Sequence, residues 1–219
     1  MLVLEGLPAA TRAALVAKLT DTLAQFVVAR NWMSADRAGR LANEARERSA
    51  VNIAARSRGE DMQGLVRHLR ATGQLTAGLI LRALLSGNLE LFDSALAELA
   101  DLPLARVTAL LHDRGGASLQ ALLIRAGFPE STFAAFRVAL EVSHETGYVD
   151  TPGGAARLRR RMVERVLTHC ATDRQAAEPL LILLRRFATE SAREEARMFC
   201  DELVADEAFV PPVRDLIAA

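Results

Sequence analysis

The sequence predicts an all-α fold, and three observations predict it. Apolar residues recur at spacings of three and four along most of the chain, and no alternating apolar–polar run bounded by hairpin turns competes with them. Gly, Pro, Asn and Ser punctuate that pattern at helix length. The hydrophobic fraction is 51% but aromatics make up only 5%, so Leu and Ala must fill the core, which suits close helix–helix packing. At 219 residues the chain is long enough for one large domain or two small ones.

The elements follow in order. A first helix is expected over 8–30, with Pro8 in its first turn and Leu15, Leu19, Leu23 and Phe26 on one face. Ser34 is suited to cap a second helix running to about Arg58, which carries six arginines and only a thin apolar stripe of Ala38, Leu41 and Ala45. A third, 60–71, turns Leu65, Val66 and Leu69 inward and ends at Gly73. Residues 75–87, LTAGLILRALLSG, contain only three strongly polar side chains, Thr76, Arg82 and Ser86. At 100° per residue these share an arc of about 120°, so the remainder should be covered by other helices and the stretch should be the central packing element. Asn88 caps a helix with Leu89, Phe92, Leu96 and Leu99 inward. Pro103 opens one with Val107, Leu110 and Leu111 inward, closed by Gly115 and Gly116. Ser118 caps one with Leu119, Leu122 and Leu123, and Pro129 opens a longer one with Phe133, Phe136, Leu140 and Val142. Connections this short make neighbours antiparallel.

Residues 150–154, Asp-Thr-Pro-Gly-Gly, read as the clearest linker. A helix to about Ala171 follows, with Leu158, Met162, Val166 and Cys170 inward. Asp173 is placed to cap the next element, and Pro179 kinks it or starts a new one. A long helix then runs from Leu180 to about Asp206 on the stripe Leu184, Ala188, Ala192, Phe199 and Leu203, and Pro211-Pro212 ends it. The tail VRDLIAA is a short amphipathic segment. The expected divisions are 1–74, 75–150 and 151–219, within one domain or as separate segments.

The middle is internally similar. Shifted by 26 residues, Ala83, Leu84, Leu85, Ala95, Leu96, Ala100, Pro103 and Ala109 meet Ala109, Leu110, Leu111, Ala121, Leu122, Ala126, Pro129 and Ala135 without a gap. Many of those matches are inexpensive in a chain so rich in Leu and Ala; the paired prolines, each preceded by an apolar residue, weigh more. The pattern predicts stacked helix pairs that cannot bury their faces alone. The carrying pieces are the Leu-rich helix around Arg82, the Leu-Ala-Asp-Leu-Pro turn at 99–103, Asp113-Arg114-Gly115-Gly116, and Ala126-Gly127-Phe128-Pro129. On these residues, the segment of about 70–145 resembles a bacterial, mostly alphaproteobacterial, domain-of-unknown-function family (DUF 2336) whose members look like HEAT-like helical repeat proteins. The resemblance implies a HEAT-like or α-solenoid-like array in a bacterial cytoplasmic protein, and it brings no catalytic motif.

Composition narrows the chemistry. Net charge is zero, 27 basic against 27 acidic groups, which argues against a dedicated nucleic-acid binder. The distribution is uneven: eleven basic and seven acidic residues in 1–74 give +4, five and nine in 75–150 give −4, and 151–219 carries eleven of each. The first third and the middle are therefore expected to pack with complementary fields. No run reaches the 18 or so apolar residues of a membrane span, and the start has no basic region of a secretory signal. Two cysteines, Cys170 and Cys200, make no disulfide framework, which points to a reducing, cytoplasmic setting, although a single 170–200 bridge stays open.

No catalytic, cofactor or metal residue is assigned. His68, His112, His144 and His169 lack partners at metal-ligand spacing. The Gly pairs at 115–116 and 153–154 lack the strand and lysine of a phosphate loop and read as helix punctuation. Neither cysteine has an evident base, and no serine sits in a nucleophile elbow. Residues 118–140 mimic a helix-turn-helix, but the second helix offers base edges only Arg137 and two hydroxyls, so a packed hairpin is the better reading. The candidate surface is Arg157, Arg160, Arg161 and Arg165, which fall within about 140° on one helix face, with Arg159 pointing away. That face is either an anion-binding patch or a solvated one paired with Glu190, Glu194 and Glu195. The expected function is a non-enzymatic protein–protein interaction or regulatory module of the bacterial cytoplasm, without cofactor. Its protein partner is unknown, and self-association through the C-terminal helix or tail is one form. The alternatives are polyanion binding through the Arg face and, behind it, an enzyme or metal protein.

Overall fold

Each glycine or proline singled out above falls at a helix boundary wherever the chain is described, and the helices between them are those the apolar spacing predicts. The computed structural model describes residues 6–112, 116–146, 154–172 and 178–207. Among them are α1 (Ala9–Ala29), α2 (Ala35–Ala54), α3 (Gly59–Ala71), α4 (Ala77–Leu85), α5 (Leu89–Ala100), α6 (Leu104–His112), α7 (Ala117–Arg125), α8 (Phe133–Thr146), α9 (Gly154–Thr172) and the 30-residue α10 (Glu178–Glu207). A single 3₁₀ turn, Glu130–Thr132, sits between Pro129 and α8. No strand occurs among the described residues. The fold is all-α. The 150–153 part of the linker, Asp173, Pro211-Pro212 and the VRDLIAA tail lie outside the described residues.

Helix α4 sits at the centre. It packs against α2, α5, α8 and α9, and every residue from Leu79 to Leu85 is buried. Of its polar arc, Arg82 is covered as well, at only 6% exposed, whereas Thr76 is exposed and Ser86 half-buried. Thr76 caps α4 by accepting from the Leu79 amide at 3.1 Å, and Asn88 caps α5 by accepting from Leu91 at 3.1 Å. Gly73 takes the left-handed φ of +68° that ends α3, a conformation that costs glycine nothing. Phe92, Phe128 and Phe136 stack in a row through the core, with centroids 6.2 and 5.2 Å apart, joining α5 to α8. Phe136 is thus a core residue, and the 118–140 segment is a packed hairpin. One continuous apolar core includes residues from Ala9 in α1 to Phe187 in α10.

Several inward assignments are corrected. Leu41, Leu89, Phe199 and Leu203 are exposed. Each sits on a helix whose other face carries smaller or better-placed apolar residues, such as Ala42 and Val51 in α2 or Leu184 and Phe187 in α10. Ser118 is not a cap: Gly116 holds that position and Ser118 lies in the first turn of α7. Ser34 does sit at the start of α2, but its side chain makes no capping bond. Cys170 is buried and Cys200 exposed, and neither is in a disulfide.

Candidate functional site

The densest polar site lies where α10 crosses α2 and α4. Arg82 Nη1 donates to Glu190 Oε2 at 2.6 Å, and its Nε lies 3.6 Å from Glu47 Oε2, within ion-pair range but too long for a hydrogen bond. The guanidinium stands over the Phe187 ring, 4.3 Å from the centroid, a cation–π contact in a desolvated place. Glu190 also pairs with Arg48 at 2.7 Å, and Arg186 of α10 reaches Glu44 of α2 at 2.7 Å. Burial raises the Glu47 carboxyl from its usual value, and the charges of Arg82 and Arg186 pull it part of the way back. A cavity of about 30 Å³ adjoins Arg82, Ser86 and Ser191, room for one water. The seam therefore joins two segments 108 residues apart in the chain. Its side chains can clamp helices. Arg186 and Glu190 stand one turn apart on α10, yet both reach across to other helices.

Outside this seam, an open groove of about 1150 Å³ runs between α2 and α10, lined by Arg48, Arg185, Arg193, Arg197, Glu194 and Asp201 among others. Its wall is of mixed sign.

The predicted arginine face of α9 is laced with carboxylates. Arg160 donates from Nε to Glu164 at 2.7 Å and from Nη1 to Glu195 at 2.5 Å, and these two acids hold its guanidinium more firmly protonated than usual. Arg165 reaches Glu145 of α8 at 2.6 Å. Arg159, expected to point away, is bonded to Glu194. Arg161 is exposed and has no acidic partner among the described residues, and the side chain of Arg157 lies outside them. Two histidines that are distant in sequence do meet: His112 and His144 stack with centroids 6.1 Å apart. Near them Asp93 accepts from Thr108 Oγ1 at 3.4 Å. Burial pushes its carboxyl up to about 6 against the opposing pull of Thr108 and His112. No group of three or more His, Cys, Asp or Glu could hold a metal among the described residues, and no helix there is long and apolar enough to cross a membrane.

The third feature is a surface. Leu15, Leu19, Leu23 and Phe26 do form one face of α1, about 80° wide, and that face points outward. Leu19 and Leu23 are each 62% exposed. Trp32, 68% exposed, continues the ridge and meets Phe26 edge-on at 5.7 Å, with Arg30 over the same Phe26 ring at 5.1 Å. On the side of α1 turned toward α2 and α3, Ala9 and Ala13 are buried, and Val16, Ala17, Thr20, Ala24 and Val27 are half-buried, side chains smaller than those of the ridge. Asp61 fixes the start of the helix, accepting from the Ala9 amide at 2.6 Å and pairing with Arg12 at 3.3 Å. Sequence reasoning found the ridge and missed its direction. The signal available was the opposite face, whose alanines suit a tight helix–helix contact.

The family model for an uncharacterised protein conserved in bacteria (DUF2336) matches residues 1–175. The chain belongs to that family. The match takes in α1 to α9 and so includes both the ridge and Arg82; α10, which supplies Glu190, begins beyond it. No curated protein and no solved structure matches the chain.

Proposed function

We propose that this member of the DUF2336 family is a non-enzymatic protein–protein interaction module, regulatory in character and working in the bacterial cytoplasm. The observation that carries this reading is the outward apolar ridge of α1. Apolar patches rimmed by polar residues mark docking surfaces when they exceed the few hundred Å² usual on a monomer. A helix apolar on two faces is one that ordinarily has neighbours on both. The strongest charged groups support the same reading from the other direction, since Arg82, Arg159, Arg160 and Arg165 are engaged with carboxylates of neighbouring helices.

A HEAT-like helix-pair array over 83–137 belongs to the same proposal. It is supported by the 26-residue similarity and by α5 packing against both α6 and α7. Polyanion binding through the α9 face is less well supported, because its described arginines other than Arg161 already hold acidic partners.

A photo-crosslinking residue placed at Leu23, with the same residue at exposed Asn52 of α2 as control, tests the docking reading in the native lysate. A cross-linked product specific to position 23, whether with another protein or with this chain, is expected. Identical background patterns at both positions would end the proposal.

A further inference from the structure

We infer that the partner of the α1 ridge is a second copy of this chain, docked antiparallel across a twofold axis that passes between residues 20 and 21. This rests on the docking reading above and goes further by naming the occupant.

The first ground is the order of side chains along the ridge. Large apolar residues stand at 7, 15, 19, 23, 26 and 32, all exposed. That series nearly reads the same from either end. An antiparallel twofold at 20–21 sets Leu15 against Phe26 of the second copy, Leu19 against its Thr22 and Leu23 region, and Leu7 near its Trp32. Leu19 then meets the shorter Thr22 at the centre, while Leu15 with Phe26 and Leu7 with Trp32 pair large apolar side chains toward the ends. A C₂ contact uses the same patch twice, so a pattern symmetric about its own middle is what such a contact needs.

The second ground is area. These six side chains together offer on the order of 600 Å² of apolar surface, near the ~800 Å² per partner of a standard interface. A single exposed leucine needs no explanation, but a ridge of this size does.

Charge selects the orientation. Lys18 and Arg30 flank the ridge, and a parallel pair would set each beside its own copy. In the antiparallel pair Arg30 falls opposite Thr11, which is uncharged and exposed. The nearest like charge, Arg12, is already neutralised by Asp61 at 3.3 Å. The sequence had suggested self-association through the C-terminal helix or tail; this geometry places it at the opposite end of the chain.

Sedimentation equilibrium of the full chain tests it. The wild type should show twice its 23.7 kDa mass at micromolar concentration. Leu19→Glu should raise the dimer dissociation constant at least ~100-fold, with helical content unchanged by circular dichroism, since position 19 is solvent-facing. In a Cys200→Ser background, Leu15→Cys combined with Phe26→Cys should oxidise to a covalent dimer, while Leu15→Cys alone should not. A wild type that stays monomeric to about 100 µM overturns the inference. So does a dimer indifferent to Leu19→Glu, or a covalent dimer formed by Leu15→Cys alone. A monomer that still cross-links another protein at Leu23 would sink self-pairing and keep the docking reading; a monomer with no ridge-specific product would sink both.

Discussion

Helices α4 and α1 are both apolar over most of their circumference, yet one is covered on every side and the other on one. In α4 the large residues Leu79, Ile80, Leu81, Leu84 and Leu85 are all buried, and even the lone arginine is held inside by Glu190, Glu47 and Phe187. In α1 the two buried residues are alanines, with Val16 and Val27 half-buried beside them, and the leucines and Phe26 face outward. The difference shows that an apolar stripe has a size as well as a period. Small residues set the close contact within the chain, and large ones left outside supply an uncovered surface. Hydrophobic burial stabilises in proportion to area removed from water, so the two stripes should differ sharply when altered.

The largest effect is expected at Arg82, the arginine that α4 buries against α2 and α10. Arg82→Ala leaves Glu47 and Glu190 without their buried partner and should lower stability by about 3–5 kcal/mol. Arg186→Ala, which breaks the half-exposed pair with Glu44 in the same seam, should cost under about 1 kcal/mol. Urea denaturation of the two variants checks the contrast. Equal losses would mean that Arg82 is not functioning as a buried charge.

Leu84→Ala in α4 should then cost about 3 kcal/mol through lost transfer energy and a cavity. Leu19→Ala in α1, measured in dilute protein, should stay within about 0.5 kcal/mol. The comparison between the helices fails if Leu19 matters as much as Leu84 to the isolated chain.

A smaller effect is expected at Asp93, which sits on α5 beside the core. Its carboxyl is lifted from an ordinary value of 3.8 to about 6 by burial. The sign follows from linkage. The folded state holds this proton more tightly, so the contribution favours folding at low pH and is lost as pH rises from about 4 to about 6. Asp93→Asn keeps an acceptor for Thr108 and removes the charge. It should leave stability unchanged near pH 4 and add roughly 2 kcal/mol above pH 7. Urea midpoints of both proteins across that range measure it, and a constant difference would show that burial is not the cause.

Much of this architecture was legible because helix periodicity and Gly and Pro punctuation are local. The spans of α1, α3, α5 and α9, the cap at Asn88 and the central place of α4 all rest on residues within a few positions of one another. What was not legible depends on partners far along the chain. Arg82 reads as a solvent-facing residue until Glu190, 108 positions later, is brought beside it. The α9 arginines read either as an anion-binding patch or as a face paired with α10 carboxylates; Glu194 and Glu195 are among the expected partners, and Glu145 of α8 is not. Leu15, Leu19, Leu23 and Phe26 read only as one helix face, because period alone does not distinguish the inside of a helix hairpin from its outside. The alanines opposite them carried that information, through size rather than hydrophobicity.

The same contrast of covered and open helices reaches the smallest predicted effect, at the helix starts. Thr76 and Asn88 each accept a backbone hydrogen bond at 3.1 Å from the third residue of the helix they open, and Asn88 also donates to the Val51 carbonyl at 3.4 Å. Ser34 holds the same position for α2, yet its hydroxyl makes no such bond and it is exposed. Thr76→Ala should therefore cost about 1 kcal/mol and Asn88→Ala somewhat more, because the latter also unties α5 from α2. Ser34→Ala should cost no more than a few tenths. Thermal unfolding of the three single variants orders them. If Ser34→Ala proves as costly as Thr76→Ala, Ser34 caps α2 in solution as Thr76 caps α4.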